Sequence, residues 1–503
     1  MISYINLANP KISSLYLCYF VLNMKKLLFL LIFILTYQTQ VSQVKNSVLA
    51  EGEWFKFSID TTGVFKIDKN ILERMGMATR NVNPKKIHIY GNGGSVLPVL
   101  NRDFRYDDLQ ENAIFIKGEE DGVFDDNDYI LFYAKGPHDW ILDTSNRTAS
   151  HRFNIYSEEA YYFITVTDDD GKRIQNAAEI NQNATNTITT FDDFIFYEKD
   201  EKNLIGAGTQ WFFNDDLNTQ NTQKFKLLFP NAVANENITI TTRAVTTSSI
   251  TSAISVTLNN ETLYNLTLGV SSGLNRATAN QSTISRSNAS AELNFSLTYT
   301  NNGNPAASTF LDFIEVVGKK ELIAGNQQFS FRSFDQANAS DVVNYQIRNT
   351  NSIFQVWDVT NPITPQRINN TIGNTTFSFI AAGGSLKEYI VLHENDFFTP
   401  KILTKSKVEN QNLHGLQNIN YLVITNDVLK KQAQRLADFH TENSGLTTQV
   451  VSLDNIYNEF ASGAKDITGI RDFIKYLYKN ANEEGQLQYV CFFGDASYDY
   501  KDR

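Results

Sequence analysis

The fold is decided by the stretch from residue 420 to 495, which carries three apolar runs: YLVIT at 421–425, QVVSL at 449–453 and YVCFF at 489–493. Short apolar runs of this kind are typical of strands that are buried on both faces of a sheet. Two helical patterns separate the runs. The apolar residues expected on their inner faces are Leu429, Ala433, Leu436 and Phe439 in the first and Ile470, Phe473, Ile474 and Leu477 in the second. Alternating strands and helices in this order predict an α/β unit with a parallel sheet.

The ends of the two helices are also visible in the sequence. Gly445 follows the first helical pattern and Asp466 precedes the second, which are common stop and start signals. No helical pattern follows the third apolar run, so the sheet would keep one edge and one face uncovered. We therefore expect residues 410–503 to be the truncated beginning of a larger α/β domain.

The chain ahead of this unit reads as short strands divided by polar turns. Alternating patterns occur at 54–59 and 86–90, and again at 237–240, 254–258 and 293–299. Because one hydrophobic core stops growing near ~250–300 residues, a chain of 503 residues is expected to form about three domains. We predict a β-rich domain at 44–190, one or more β-sandwich-like domains at 191–400, and the α/β unit after them.

The N-terminus has the layout of an export signal. Met24, Lys25 and Lys26 precede nine apolar residues, and polar residues follow at once. The apolar run is well short of the ~20 residues of a spanning helix, so residues 24–43 are predicted to be a signal peptide and residues 1–23 an upstream start included in error. The alternative is an N-terminal membrane anchor.

Composition excludes some classes of partner. The net charge is -11, and no run of Lys and Arg forms a basic stripe along the sequence, so we expect no nucleic-acid partner. The chain has 2 cysteines, Cys18 and Cys491, and Cys18 precedes the predicted signal peptide, so no disulfide framework is expected.

One acidic turn is a candidate metal site. Glu119, Asp121, Asp125 and Asp128 lie around Gly122, and dense carboxylate oxygens suit Ca²⁺. The spacing matches a calcium loop only in part, and the alternative is a solvated acidic hairpin. The histidines show no metal-ligand spacing, and His88 is expected on the solvent side of its strand between Ile87 and Ile89.

The end of the third apolar run is the candidate position for an active site. Asp495 and Asp499 follow that run, where parallel sheets build their sites, and are expected to border an active site. Ser497 lacks the flanking glycines of a nucleophile elbow. Cys491 lies inside the apolar run and is interpreted as a small buried hydrophobe.

Several motifs in a fixed order carry a family resemblance: YGNGG at 90–94, DDLQENA at 107–113, DGVFD at 121–125, VWDVTNP at 356–362 and FGDASYDY at 493–500. With these motifs the chain resembles the gingipain-type cysteine peptidases, and among them the sortases of type IX secretion. The resemblance implies that residues 410–503 begin a caspase-like domain, with the catalytic histidine and cysteine on later strands, beyond Arg503. No catalytic residue of this chain can therefore be assigned.

The same resemblance implies an activity and partners. Such sortases remove the C-terminal sorting domain of cargo proteins and attach the cargo to surface lipopolysaccharide, by thiolate attack and without a required cofactor. Their expected partners are the cargo, other type IX secretion components and lipopolysaccharide, at the outer membrane, the cell surface or in the periplasm. The alternative is a noncatalytic exported β-sandwich protein that acts as an adhesin or a secretion-complex subunit.

Overall fold

The structure is a computed structural model that describes residues 44–287, 290–370, 375–483 and 485–503. The predicted upstream segment and signal peptide lie outside the described residues. None of the helices in the described ranges is long and apolar enough to cross a membrane.

Strands are the main regular element of the described residues. In chain order they are β1 (Trp54–Ile59), β2 (Gly63–Asp68), β3 (Ile87–Tyr90), β4 (Glu111–Asn112), β5 (Phe115–Lys117), β6 (Tyr129–Ala134), β7 (Asp139–Asp143), β8 (Thr148–Arg152), β9 (Ala160–Val166), β10 (Gln175–Asn176), β11 (Asn186–Ile188), β12 (Thr190–Glu198), β13 (Thr222–Leu228), β14 (Asn237–Thr246), β15 (Ser252–Leu258), β16 (Glu261–Leu268), β17 (Thr278–Ser287), β18 (Glu292–Thr300), β19 (Thr309–Glu321), β20 (Phe329–Arg332), β21 (Val342–Arg348), β22 (Ile353–Asp358), β23 (Gln366–Ile368), β24 (Thr376–Ala382), β25 (Glu388–His393), β26 (Lys401–Val408), β27 (Tyr421–Thr425), β28 (Thr448–Ser452) and β29 (Tyr489–Phe493). The α-helices are α1 (Lys69–Arg74), α2 (Phe334–Asn338), α3 (Lys430–Ser444), α4 (Leu453–Phe460) and α5 (Ile467–Asn480).

The N-terminal strands form an aromatic core between two sheets, with strand orders β26-β1-β9-β3-β4 and β2-β6-β5. Phe57 and Phe132, one from each sheet, are buried and meet edge to face at 5.7 Å. The edge strand β26 comes from much later in the chain and pairs antiparallel with β1, with Trp54 opposite Val408. This pairing brings the start of the α/β unit next to the N-terminal sheet.

The middle of the chain contains a β-sandwich. Its two antiparallel sheets have the orders β12-β19-β14-β17 and β13-β18-β15-β16. Buried and half-buried residues alternate along β15, as expected for a strand with one face on the core. Ile240 and Val316 of one sheet pack with Ile254 and Leu297 of the other. The strands predicted at 237–240, 254–258 and 293–299 all lie in this sandwich.

Two further sheets, β10-β23-β22-β25-β20 and β11-β21-β24, enclose a third core that includes Phe331 and Tyr345. The other face of the larger sheet is also covered, because Trp357 and Ile390 pack with Val64 and Leu131 of the N-terminal strands. Trp357 is fully buried. The β-rich units are therefore joined by apolar packing as well as by the chain.

The α/β unit is parallel, as the sequence predicted. The sheet order is β28-β27-β29, with Thr425 aligned with Ser452 on one side and Phe493 on the other. The side chain of Asp466 caps α5 by accepting a hydrogen bond from the amide of Thr468 (2.7 Å). The expected inward position of Phe439 is wrong: it is 56% exposed, and Ala433 and Ala437 form the buried face of α3.

Candidate functional site

The candidate site is the edge where the strands of the parallel sheet end. Thr425 terminates β27, and its hydroxyl donates a hydrogen bond to the carbonyl of Phe493 (2.8 Å), which joins the ends of β27 and β29. Asp495 follows Gly494 after the end of β29 and is exposed, and its carboxylate accepts a hydrogen bond from the amide of Ala496 (2.8 Å). Asp499 lies four residues further on and pairs with Arg503 (3.2 Å). The expectation that the two aspartates border an active site stays a prediction.

The residues after β29 form what we name the C-terminal segment, residues 495–503, and its side chains dock on the β-rich region. Tyr498 stacks on Trp211 with ring centroids 5.9 Å apart, and the guanidinium of Arg503 lies 3.9 Å from the centre of the same indole. Tyr500 meets Tyr156 edge to face at 4.9 Å. Ring and cation–π contacts of this kind contribute about 0.5–1.5 kcal/mol each. The β-rich region therefore holds the loop that leaves the candidate edge.

Ion pairs reinforce this docking. The ammonium of Lys501 contacts the carboxylate of Glu158 and lies 4.5 Å from the ring centre of Phe153. Burial raises the pKa of Glu158, but hydrogen bonds from His138 and Lys501 outweigh it and lower the pKa to about 2. The Glu158 carboxylate is therefore charged throughout the physiological pH range.

A buried histidine, His151, lies between two carboxylates in the β-rich region. Its Nδ1 is 2.7 Å from Glu315, and its Nε2 contacts Glu198. Glu315 is paired with Phe196 across β19 and β12, and Glu198 is two residues along β12, so both carboxylates lie on the sheet face that the β7–β8 hairpin covers. Burial lowers the pKa of His151, but the two carboxylates raise it to about 8.

A second buried histidine, His414, joins the α/β unit to the N-terminal region. Its Nδ1 donates to Glu459 of α4 (2.6 Å) and its Nε2 donates to the carbonyl of Asp107 (3.0 Å). The Glu459 carboxylate also accepts the amides of Leu413 (2.8 Å) and His414 (3.2 Å). Both ring nitrogens of His414 and of His151 are engaged, so neither ring offers a free lone pair to act as a general base.

All four carboxylates of the acidic turn contact groups of the protein itself. Glu119 pairs with Arg173 (2.7 Å), and Asp121 and Asp125 accept backbone amides within the turn. Asp128 accepts the amide of Asp125 (2.8 Å) and is buried, which raises its pKa. Across the described ranges, no group of three or more His, Cys, Asp and Glu side chains is arranged to hold a metal ion. Calcium binding at the turn stays a prediction.

The expected solvent position of His88 is wrong. Its side chain is 5% exposed, with Nδ1 2.8 Å from Glu111 and Nε2 2.8 Å from the hydroxyl of Thr167. Both faces of its strand are covered, so the alternation with Ile87 and Ile89 does not separate core from solvent. None of the partners of His88, His151 or His414 is adjacent in sequence, so no local signal reveals these contacts.

Part of the chain matches the model of a known protein family. Residues 414–503 match the family model described as Peptidase family C25, and His414 is the first residue of the match. The match thus coincides with the α/β unit and its candidate edge. No curated protein sequence matches the chain.

The fold is similar to that of a solved structure. The crystal structure of dimeric latent PorU from Porphyromonas gingivalis matches 91% of this chain with a TM-score of 0.79 and 23% identity. The chain spans 43% of the length of that structure. A family 35 carbohydrate-binding module from Cellvibrio japonicus matches 26% of this chain and 97% of the module, with 14% identity and a TM-score of 0.20, which is too low to carry an argument.

Proposed function

We propose that this chain is the N-terminal part of an exported gingipain-type cysteine peptidase that acts as a type IX secretion sortase. It removes C-terminal sorting domains from cargo proteins and helps attach the cargo to surface lipopolysaccharide. The single observation that carries the proposal is the parallel α/β unit, which matches Peptidase family C25 and follows β-rich units with the fold of latent PorU. The catalytic histidine and cysteine of the proposed enzyme lie beyond Arg503.

The proposed chemistry needs little from the residues of this chain at the reacting centre. A histidine takes the proton of the cysteine thiol, the thiolate attacks the peptide carbonyl, and the C–N bond breaks as the histidine returns the proton to the departing amine of the sorting domain. Water or another amine then attacks the thioester, and the cysteine leaves as its thiolate. The part that this chain supplies is the candidate edge, with Asp495 and Asp499 near the reacting groups. The C-terminal segment, fixed by Trp211, Tyr156 and Glu158, supports a role of the β-rich region in keeping this edge in place.

Cleavage of a cargo protein tests the proposal. The gene is expressed with its reading frame continued past the codon for Arg503, and the product is incubated with cargo that carries a C-terminal sorting domain. We expect release of that domain, detected by mass spectrometry, and loss of release when a downstream cysteine is replaced by alanine. A frame that stops after Arg503, or cleavage that survives every such replacement, would favour the noncatalytic adhesin or secretion-subunit hypothesis.

The positioning role of the C-terminal segment is tested separately. Replacing Tyr498 by alanine removes the stack on Trp211, and the matched control is Tyr489→Ala, because Tyr489 is also an exposed tyrosine, 55% against 46% for Tyr498. We expect faster trypsin cleavage after Lys501 and a lower kcat in the first variant only. Equal trypsin sensitivity of the two variants would contradict the positioning role without touching the peptidase assignment.

A further inference from the structure

An irregular loop on the surface displays apolar side chains to solvent. In the stretch between β3 and β4, Val99 is 75% exposed, Leu100 49%, Phe104 66% and Tyr106 38%. The rings of Phe104 and Tyr106 meet edge to face at 5.1 Å. Single exposed apolar residues are common, but a contiguous group of them marks an interaction site.

Side chains of helix α5 bind the backbone of the loop. The guanidinium of Arg471 donates to the carbonyl of Pro98 (3.1 Å), and the ammonium of Lys475 donates to the carbonyl of Asn101 (3.2 Å). These bonds fix the backbone of the loop on the helix. The apolar side chains therefore remain outside the core instead of folding back onto it.

The same surface carries a local excess of positive charge. Residues 98–105 and 471–479 contain five cations and two carboxylates, so the local net charge is +3 on a chain whose net charge is -11; the charged residues are Arg102, Asp103, Arg105, Arg471, Asp472, Lys475 and Lys479. The cations are close together: burial lowers the pKa of Lys475, Asp472 raises it, and Lys479, Arg105 and Arg471 lower it further, with a net decrease. The basic–apolar surface, residues 98–105 with 471–479, therefore differs from the rest of the molecule in charge and in hydropathy.

We propose that the basic–apolar surface docks on an anionic lipid surface. Phe104, Val99 and Leu100 would enter the headgroup region, while Arg102 and Lys479 would lie against lipid phosphates. A second copy of this chain is a poor partner in a two-fold contact, because each copy would bring the same +3 surface to the other. Because the chain as a whole is negatively charged, an anionic lipid surface attracts it only when this face is within a Debye length of ~8–10 Å of the lipid. The site is separate from the candidate edge and does not depend on the proposed peptidase activity.

Co-sedimentation of the purified chain with vesicles tests this proposal. One set of vesicles is phosphatidylcholine alone, and the other contains phosphatidylglycerol as well. We expect binding to the anionic vesicles, and this binding should weaken as the salt concentration rises. Arg102→Gln with Lys479→Gln should lower the partition coefficient about five-fold for each cation removed.

A second pair of variants separates apolar insertion from charge. Phe104→Ser with Val99→Ser keeps every charge and should abolish most of the binding, whereas Val428→Ser, at a residue that is 89% exposed after β27, should leave binding unchanged. All the replaced side chains are exposed, so circular dichroism should show an unchanged fold. Equal binding of all variants, or no binding to the anionic vesicles, would overturn the proposal. Self-association that disappears in Phe104→Ser, without vesicle binding, would make the surface a contact between copies instead.

Discussion

Replacing His414 by alanine should open the junction between the N-terminal region and the α/β unit, and the effect should depend on pH. The ring of His414 is fully buried, stacks on Phe460 at 4.4 Å and donates to Glu459. Removing the ring leaves the buried Glu459 carboxylate without its cation, a change that costs about 3–5 kcal/mol in other proteins.

The pKa of His414 gives an independent magnitude. Burial lowers this pKa, but hydrogen bonds to Asp107 and Glu459 raise it more, to about 9 against the ordinary 6.5. The difference corresponds to about 3 kcal/mol, or roughly a 300-fold change in an opening equilibrium. Because the folded-state pKa is the higher one, this stabilisation is complete below pH ~6.5 and is lost as the pH rises through about 9.

Hydrogen exchange measures the local opening directly. The amides of Leu413 and His414 donate to Glu459, so a peptide that covers residues 411–416 reports on this junction. We expect the protection factor of wild type to exceed that of His414→Ala by about 100-fold or more near pH ~6, and the ratio to shrink as the pH approaches ~10. The packing lost with the ring does not titrate, so the part that changes with pH isolates the ion pair.

The control is His440→Ala, because the ring of His440 makes its polar contact within its own helix, with the hydroxyl of Ser444 at 3.3 Å. This variant should leave the protection of residues 411–416 unchanged. A wild-type to His414→Ala ratio that stays constant from pH ~6 to ~10 would refute the reasoning, since it would mean that the charge of His414 does not stabilise the junction.

Three further changes should lower stability for different reasons, each checked by thermal unfolding. Arg332→Leu removes a buried guanidinium that donates two hydrogen bonds, of 3.0 and 2.6 Å, to Glu388. We expect the free energy of unfolding to fall by about 3–5 kcal/mol, and by an intermediate amount in Arg332→Lys. A fall below ~1 kcal/mol would contradict this. His151→Phe keeps a ring but loses the cation, and the stability gap to wild type should be largest below pH ~6.5 and close as the pH rises through about 8; a gap that widens at high pH would reverse the assigned sign. Gly94→Ala places a methyl group 2.3 Å from a side-chain carbon and 2.9 Å from a backbone carbon of β9 and should lower Tm, whereas Gly325→Ala, with nothing within 4 Å, should not; equal Tm values would show that the strand can yield.

The acidic turn and the candidate edge show how much of a site can be predicted from the sequence. The carboxylates from Glu119 to Asp128 are visible as a cluster, but the sequence does not show that Arg173 takes one of them and backbone amides take others. Asp495 and Asp499 are predicted as site residues from their position after an apolar run, because a parallel sheet places strand ends together. Trp211 and Glu158, which hold the C-terminal segment through Tyr498 and Lys501, come from distant loops and give no local signal.

The sequence by itself determined the α/β unit and the strands of the β-sandwich, because the periodicity of apolar residues is a local property that burial imposes on each element. It also determined the glycine and aspartate signals that end α3 and begin α5. The prediction that Phe439 is buried was wrong, because burial of an apolar helix position also requires a neighbouring element to cover it. The short side chains of Ala433 and Ala437 form the buried face of α3 instead.

Only the tertiary structure decided which charges meet. His88, His151 and His414 are buried because residues tens to hundreds of positions away supply carboxylates, and such pairs depend on the folding of the whole chain. The basic–apolar surface has the same origin. No basic stripe runs along the sequence, yet its two segments are in contact through Arg471 and Pro98, which are 373 positions apart. Charge acts through space over a Debye length of about 8–10 Å, so its pattern on the surface is set by the fold rather than by the order of residues.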